Sequence, residues 1–311
     1  MPEARSTTRT GPRRAGTRRP RQSWWQRNRA WVAAAGLGAA LLVAVAVSAN
    51  GDANDGAATS GPAGAGFVGG DFHSLVADPT TPGRVFVGGH EAVSASADGG
   101  RTWRRVESLD DADAMGWGFT DRAVYVSGHP GIRRSTDGGV SFDKANEGLP
   151  DTDIHAFGAS ASALYGAGPA TGVIASTDGG RTWSARTTAH GQSFFGRILT
   201  DPADDEHLIA ADARAGVVES ADGGRSWRRL GGPPSAVWVS ASGGSLYASG
   251  PRGAAQSADG GKSWEDLALP NGATLVEAHP SEPATLYAGV HDGRTVQVLV
   301  SRDGGVSWSA P

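Results

Sequence analysis

The feature that most constrains the fold is an eight-residue string that occurs six times along the chain. It has the pattern Ser-x-Asp-Gly-Gly-x-Ser/Thr-Trp, and successive copies begin 37 to 44 residues apart. A period of about 40 residues indicates a repeat architecture, in which neighbouring units bury a shared core. The copies are Ser96–Trp103, Ser135–Phe142, Ser176–Trp183, Ser220–Trp227, Ser257–Trp264 and Ser301–Trp308.

The Asp-Gly-Gly triplet within each copy predicts a hairpin turn. Glycine accepts the positive φ angles of such turns, and an aspartate carboxylate can accept hydrogen bonds from the N–H groups of the turn. The tryptophan that follows is expected to bury its ring between sheets, and Phe142 replaces it in the second copy. We therefore predict a structural role for the repeated aspartates Asp98, Asp137, Asp178, Asp222, Asp259 and Asp303.

Short apolar runs around each string predict four strands per repeat. In the first repeat, Phe72–Ala77 and Arg84–Gly88 precede the string, a short third run leads into it, and Trp103 begins a fourth run. Four short strands in about 40 residues are typical of a β-propeller blade. The sequence therefore predicts an all-β, six-bladed β-propeller over residues 67–311, and residues 64–70 could add a strand where the ring closes.

Composition and charge exclude several classes of protein. The 47 glycines argue against an all-helical fold, and the absence of cysteine excludes disulfides, Cys-ligated zinc and thiol catalysis. Residues 1–29 hold nine arginines against one acid, whereas the rest of the chain holds 19 Lys/Arg against 31 Asp/Glu. An acidic folded part is the opposite of what nucleic-acid binding requires, so we expect no nucleic-acid partner.

A membrane signal accounts for the basic N-terminus. The uncharged residues that follow it are long enough to cross a bilayer as a helix, with arginines on one side and tryptophans at the interface. A signal peptide cleaved near Ala49 is the alternative, and it would secrete the same domain. We predict a cytoplasmic tail (1–29), a transmembrane signal anchor in the cell membrane (30–49), a flexible linker (50–66) and a propeller outside the cytoplasm (67–311).

The repeated string is an Asp box, also called a BNR repeat. Residues 67–311 resemble the Asp-box propellers of sialidases, sortilin-type receptors and the photosystem II assembly factor family. They look most like bacterial membrane-linked or secreted proteins labelled sialidase-like or glycosyl hydrolase. The resemblance implies the propeller fold, but it leaves function open between enzyme, receptor and assembly factor, because one fold serves all three.

The residues of a sialidase site are incomplete in this chain. The resemblance implies three arginines on the substrate carboxylate, a Tyr–Glu nucleophile pair and an acidic Asp. The tyrosines all share one second-strand position, which Phe86 occupies in the first repeat, so we expect them to be packing residues. The string Phe195–Leu199 departs at two places from the Phe/Tyr-Arg-Ile-Pro element that sialidases carry. We therefore expect no sialidase chemistry from Tyr125, Tyr165, Tyr247 or Tyr287.

Polar residues concentrate at one end of the predicted propeller. Strand counting places the boxes at one end, and it places the beginnings of the first strands and the loops after the second strands at the other. We expect four histidines to converge there with three carboxylates, and Met115 and Trp117 to form an apolar wall. The histidines are His73, His90, His129 and His155, and the carboxylates are Asp71, Glu91 and Asp153.

Three interpretations of this group remain open. Imidazoles beside carboxylates suit Zn²⁺ or another transition metal, so a divalent metal is the one cofactor that the residues suggest. Carboxylates and histidines could instead act as general acid and base in a hydrolase, with Asp71, Glu91 and Asp153 as catalytic candidates. The histidines could also simply cap strand ends. Three further channel-lining candidates fall on first strands of the later blades: Arg197, Trp238 and Glu277.

Together these features favour a binding or assembly module held at the membrane. Its partner would be a protein, a glycan or a small ligand, bound at the end that carries His73 and His155. The alternative is a glycoside hydrolase with an atypical site of carboxylates and histidines. A deep pocket with paired carboxylates would favour the enzyme, and a broad shallow face would favour the binder.

Overall fold

The computed structural model describes residues 64–311, which form β-strands, one 3₁₀ turn at Glu107–Leu109 and no α-helix. No helix of the described part is long and apolar enough to cross a membrane. The predicted tail and anchor, and the linker as far as residue 63, lie outside the described residues. In chain order the strands are β1 (Ala65–Phe67), β2 (Phe72–Ala77), β3 (Val85–Gly89), β4 (Val93–Ser96), β5 (Arg104–Arg105), β6 (Asp113–Phe119), β7 (Val124–His129), β8 (Gly131–Ser135), β9 (Asp143–Lys144), β10 (Ala156–Ala159), β11 (Leu164–Gly168), β12 (Gly172–Ser176), β13 (Ser184–Thr187), β14 (Phe194–Asp201), β15 (Asp204–Asp212), β16 (Gly216–Ser220), β17 (Arg228–Gly231), β18 (Trp238–Ser242), β19 (Ser245–Gly250), β20 (Gly253–Ser257), β21 (Glu265–Leu267), β22 (Ala273–Ala278), β23 (Leu286–His291) and β24 (Thr295–Ser301).

Each repeat forms an antiparallel sheet whose four strands lie in chain order. Five of these sheets are β2–β5, β6–β9, β10–β13, β14–β17 and β18–β21. A parallel pairing between β10 and β14 joins the third and fourth sheets, with Ala156 opposite Gly196 and Phe157 opposite Arg197. The sixth sheet contains β22, β23 and β24, and β1 supplies its outer strand.

The two ends of the described chain meet on the outer edge of β24. Ala65 to Phe67 pair with Gln297 to Thr295, and Ser309 bridges to Val300 on the same strand. The predicted additional strand over residues 64–70 is therefore present, and it begins before the predicted end of the linker at residue 66. The first strand of each sheet contacts that of the next, and β22 contacts β2, so these strands surround a central axis.

The apolar runs form strands that are covered on both faces. Val85, Phe86 and Val87 are all fully buried although they are consecutive, because neighbouring sheets pack against both sides of β3. A continuous apolar run rather than a strict alternation is the pattern of a strand buried on both faces. Trp117 joins the same core, where its ring stacks on Phe86 with the ring centroids 4.8 Å apart.

Each Asp box is a turn closed by its own side chains. In the first box, Ser96 Oγ donates to Asp98 Oδ1 at 2.7 Å and accepts from the Gly100 N–H at 2.8 Å. The same two bonds recur in the other five boxes. The box tryptophans are half-buried rather than buried, and the indole N–H donates to a backbone carbonyl, as that of Trp103 does to Gly100 at 3.0 Å. Phe142 has no such donor and is buried.

Candidate metal centre

Beta-bulges displace side chains from the hydrogen-bond ladder where several first strands begin. In β2, Phe72 and Ser74 oppose the consecutive residues Gly89 and Gly88, so His73 between them is the extra residue. Met115 is the extra residue at the same place in β6. A bulge re-aims the side chain of the extra residue, and bulges are frequent beside functional sites. We call this end of the sheets the histidine end and the opposite end, which carries the Asp boxes, the box end.

Aspartates lie at or just before the start of three of the first strands, at equivalent positions. The carbonyl oxygen of each lies very close to a glycine of the second strand in the same sheet. A Cβ on that glycine would lie only 1.5 to 2.4 Å from the oxygen, so no other residue fits there. These glycines therefore place the aspartates beside the loops that follow the second strands. The pairs are Asp71 with Gly89, Asp113 with Gly128, and Asp153 with Gly168.

The first cluster, which we call site one, consists of His73, His90 and Asp113. His73 Nε2 lies 2.9 Å from Asp113 Oδ1, and His90 Nδ1 lies 3.4 Å from Asp113 Oδ2. The His73 and Asp113 atoms are buried, and neither has a hydrogen-bond partner outside this pair. The three donor atoms of this cluster lie within 4.8 Å of one another, so they could face a common ion.

The second cluster, site two, consists of His129, Asp153 and His155. Asp153 Oδ1 lies 2.9 Å from His129 Nε2 and 2.6 Å from His155 Nε2, and it has no hydrogen-bond partner outside the cluster. The His155 ring stacks on Phe195 with centroids 5.0 Å apart, which fixes the plane of the imidazole. Sites one and two are thus built from the same residue types with the same central carboxylate.

The electrostatics of the clusters suit cation ligation. Burial alone would raise the pKa of Asp113, but the hydrogen bond and the charge of His73, together with the charges of His90 and His129, hold that pKa below its usual value. Burial lowers the pKa of His155, and the opposing effect of Asp153 does not restore it. Asp113 is therefore a carboxylate and His155 a neutral imidazole near neutral pH, which are the protonation states that bind metals.

The spacing of the donor atoms fits a transition-metal ion. In each cluster the three donors lie within 4.8 Å of one another. Tetrahedral Zn²⁺ with bonds of about 2.0–2.1 Å requires donor separations of about 3.3 Å. The N–O distances of 2.6 to 3.4 Å bracket that separation, so the donors need only be rearranged to hold an ion. Both clusters can accept an ion with two imidazoles and one carboxylate.

The sequence placed the four histidines at this end but did not identify the carboxylate of site one. Asp113 was missed, although it occupies the repeat position of Asp71 and Asp153, and that equivalence is the signal that could have found it. The predicted carboxylates Asp71 and Glu91 belong to neither cluster. The Asp71 side chain is exposed, and Glu91 lies 3.9 Å from Arg294, which draws it away.

The predicted apolar wall is only partly at the histidine end. Met115 is buried at the bulge of β6, between the positions of His73 and His155 in neighbouring sheets. Trp117 lies deeper, where its indole N–H donates to Ser74 Oγ at 2.9 Å and its ring belongs to the core. The placement of Trp117 at the channel mouth was therefore wrong, because two further residues along β6 carry it toward the box end.

The three channel candidates of the later sheets bond to one another. Glu277 is fully buried and accepts hydrogen bonds from Arg197 Nη1 at 2.8 Å and from Trp238 Nε1 at 2.9 Å. Burial raises the pKa of Glu277 to about 7, even though Arg197 and Trp238 act to lower it. A cavity of about 230 Å³ lies beside Arg197, and Trp117 and Phe119 line it.

The tyrosines have the packing role that their repeat position predicts. All four lie on second strands, in β7, β11, β19 and β23, and all are buried. Desolvation raises the pKa of Tyr165, Tyr247 and Tyr287 further above its usual value. A tyrosine nucleophile needs the opposite, an accessible side chain with an activated hydroxyl.

Comparison with known sequences supports the repeat assignment. The profile of the BNR/Asp-box repeat matches residues 174–185, which contain the third box. The chain carries BNR/Asp-box repeats. No curated protein sequence matches the chain.

Solved structures of β-propellers share the fold of this repeat protein. The GH74 xyloglucanase from Xanthomonas campestris is 16% identical with a TM-score of 0.54, and the match covers 78% of this chain but 45% of that one. YCF48 bound to D1 peptide is 17% identical with a TM-score of 0.51, covering 81% and 85%. The Nidogen/Laminin complex gives 11% identity and a TM-score of 0.55, covering 73% and 93%. This Asp-box chain thus spans less than half of the xyloglucanase, and at such identities the likeness shows the fold alone.

Proposed function

We propose that this chain is a six-bladed β-propeller that acts outside the cytoplasm as a binding module, with a transition-metal ion bound at its histidine end. The observation that carries the proposal is the pair of clusters in which two imidazoles and one carboxylate bring three donor atoms within 4.8 Å of one another. Histidine nitrogen and carboxylate oxygen together suit Zn²⁺ and related ions. A protein or glycan partner would then meet the module at the same end.

The site chemistry favours binding over glycoside hydrolysis. A glycosidase needs a carboxylic acid that keeps its proton near neutral pH and reaches the substrate. The pKa of Asp113 is lowered instead, because imidazoles surround its carboxylate. Glu277 has a raised pKa but is fully buried, so a substrate cannot reach it. The likeness to GH74 xyloglucanases supports the fold and adds no residue to a hydrolase site.

Metal binding can be tested directly on the full chain, purified in detergent and freed of metal. Equilibrium dialysis against Zn²⁺, followed by elemental analysis, should show bound zinc. Substitution of His73 and His155 by glutamine should abolish most of the binding, because each cluster loses one of its three donors. His190→Gln is the matched control, since His190 belongs to neither cluster. A native chain that binds no Zn²⁺, Cu²⁺ or Ni²⁺ would refute the proposal.

The proposed location outside the cytoplasm rests on the sequence of the N-terminal region. It can be tested separately from metal binding. The chain has no cysteine, so a single introduced cysteine reports one position cleanly. A membrane-impermeant maleimide added to intact cells should label the Ser60→Cys variant and should leave Ser6→Cys unlabelled until the cells are lysed. Labelling of both variants in intact cells would contradict an anchored chain with a cytoplasmic N-terminus.

A further inference from the structure

The two clusters share one repeated contact between a histidine and an aspartate, and they differ in the sheet that supplies the third donor. In each, a histidine at or just after the end of a second strand meets an aspartate at or just before the start of the first strand of the next sheet. His90 meets Asp113 in this way between the first and second sheets, and His129 meets Asp153 between the second and third. The third donor comes from the start of a first strand, as His73 in site one and His155 in site two. The arrangement is therefore two complete three-donor sites.

Sites one and two are immediate neighbours. Asp113 of site one and His129 of site two are directly opposite each other in the β6–β7 pairing. Directly opposed residues of an antiparallel pair have Cβ atoms only about 4.5–5.5 Å apart and lie on the same face of the sheet. Ions held in both sites would thus lie side by side at the mouth of the central axis.

Both sites leave room for an external ligand. Each supplies three protein donors, and a four-coordinate ion with three protein ligands keeps one position open for water or a ligand. The loop histidines face solvent, with 64% of the His90 side chain and 49% of the His129 side chain exposed. The open positions are consequently reachable from outside the molecule.

The charge of the loaded pair identifies the kind of ligand. Two divalent cations with two carboxylates and four neutral imidazoles leave a net charge of about +2, since three-donor sites of this kind contain one carboxylate each. A single dianion balances that charge, whereas a single carboxylate or halide leaves one positive charge, so we expect dianions to bind more tightly. A tetrahedral oxyanion can also present separate oxygens to two adjacent ions.

We propose that the two sites bind metal ions at the same time and that the ion pair binds a phosphate-type dianion, either inorganic phosphate or a phosphate monoester, across its open positions. This inference rests on the proposed metal-binding function and assigns that site its ligand class. The protein contributes the imidazoles and carboxylates that hold the ions, and the anion contributes the remaining donors.

The test titrates Zn²⁺ into the metal-free full chain against a chromophoric chelator and then measures phosphate binding by calorimetry. We expect two equivalents of Zn²⁺ and phosphate binding that requires both. The variant His73→Gln/His90→Gln and the variant His129→Gln/His155→Gln should each keep one equivalent. Phosphate should bind to each variant about tenfold more weakly or worse, which corresponds to about 1.4 kcal/mol.

Control ligands and variants separate the outcomes. His190→Gln should behave like the native chain, and circular dichroism and melting curves check that every variant folds. Acetate should bind far more weakly than phosphate, and comparison of phenyl phosphate with inorganic phosphate tells which source of the anion the site prefers. Two bound zinc ions without phosphate binding, a single bound ion, or phosphate binding without metal would each overturn this inference but leave the metal site standing. Absence of any metal binding would remove both proposals.

Discussion

At the scale of single residues, the aspartate of each box serves its own turn. Asp98 Oδ1 accepts from the backbone N–H groups of Arg101 at 3.0 Å and Thr102 at 2.9 Å, and Asp98 Oδ2 accepts from Thr102 Oγ1 at 2.7 Å. The hydrogen bonds from the hydroxyl and N–H of Thr102 are the main reason that the pKa of Asp98 falls to about 2. The carboxylate is thus fully occupied by the fold, as the repeat predicted.

Substituting Asp98 by asparagine should make the protein less stable and change how stability depends on pH. The folded-state pKa of about 2 lies below the ordinary 3.8, so the bonds contribute stability above about pH 3.8 that is lost as the pH falls toward 2. We expect Asp98→Asn to lower the free energy of unfolding by about 1 kcal/mol at pH 7, as for a lost helix cap. Between pH 4 and 2 the free energy of unfolding of the variant should fall by less than that of the native chain. Urea unfolding at several pH values measures both effects.

The control for this experiment is Asp121→Asn, an exposed aspartate outside the boxes. It should leave stability nearly unchanged at every pH, because surface substitutions away from such features rarely exceed about 0.5 kcal/mol. Equal behaviour of the Asp98 and Asp121 variants would show that the box carboxylate is not needed for the turn.

The buried carboxyl of Glu277 gives a pH dependence of the opposite sign. Its folded-state pKa of about 7 lies above the ordinary 4.5, so the folded chain holds an additional proton between these values and loses stability as the pH rises through them. Glu277→Gln removes this titration. The free energy of unfolding of the variant minus that of the native chain should therefore rise by up to about 3 kcal/mol between pH 5 and pH 8. A constant difference across this range would mean that Glu277 is ionised throughout.

At the scale of elements, β1 packs closely against the first sheet. A Cβ on Gly66 would lie 2.5 Å from Val87 Cγ2 and 3.1 Å from the Trp103 ring. Val87 is fully buried and cannot move away. The glycine is therefore required by close approach of β1 to the neighbouring sheet.

Gly66→Ala should lower the free energy of unfolding by about 1–3 kcal/mol, the usual cost of overpacking a core. Because the clash is with one methyl group, Val87→Ala in the same chain should relieve it. The double variant should then be more stable than the sum of the single effects by about 1 kcal/mol, measured by chemical denaturation. Strict additivity would place the strain elsewhere and would contradict the packing described for β1.

The strands themselves could be predicted from the sequence because each repeat contains the same pattern of short apolar runs around its box. The run Phe72–Ala77 coincides with β2, and Arg84–Gly88 differs from β3 by one residue at each end. The contacts of Asp113 could not be predicted in the same way. Strand alternation gives the face on which a side chain lies, but the distance from Asp113 to His73 and His90 depends on a bulge in β2 and on how two sheets stack.

At the scale of the whole molecule, the six sheets meet through their first strands around one axis, and both ends of the described chain lie on the last sheet. The period of the boxes predicted an all-β repeat fold, since equal units that bury a shared core must stack in sequence. The function of the two ends was less predictable. Trp117 was expected at the histidine end and lies in the core, because repeat counting orders residues along a strand without giving their depth.

The most direct test of a metal centre is anomalous diffraction at the zinc edge from crystals of the full chain grown with Zn²⁺. We predict a peak in each cluster, bonded at about 2.0–2.2 Å to two imidazole nitrogens and one carboxylate oxygen. One set of ligands is His73, His90 and Asp113, and the other is His129, Asp153 and His155. The absence of any peak there, with the imidazoles hydrogen-bonded to Asp113 and Asp153, would contradict the account and make both clusters structural ion pairs.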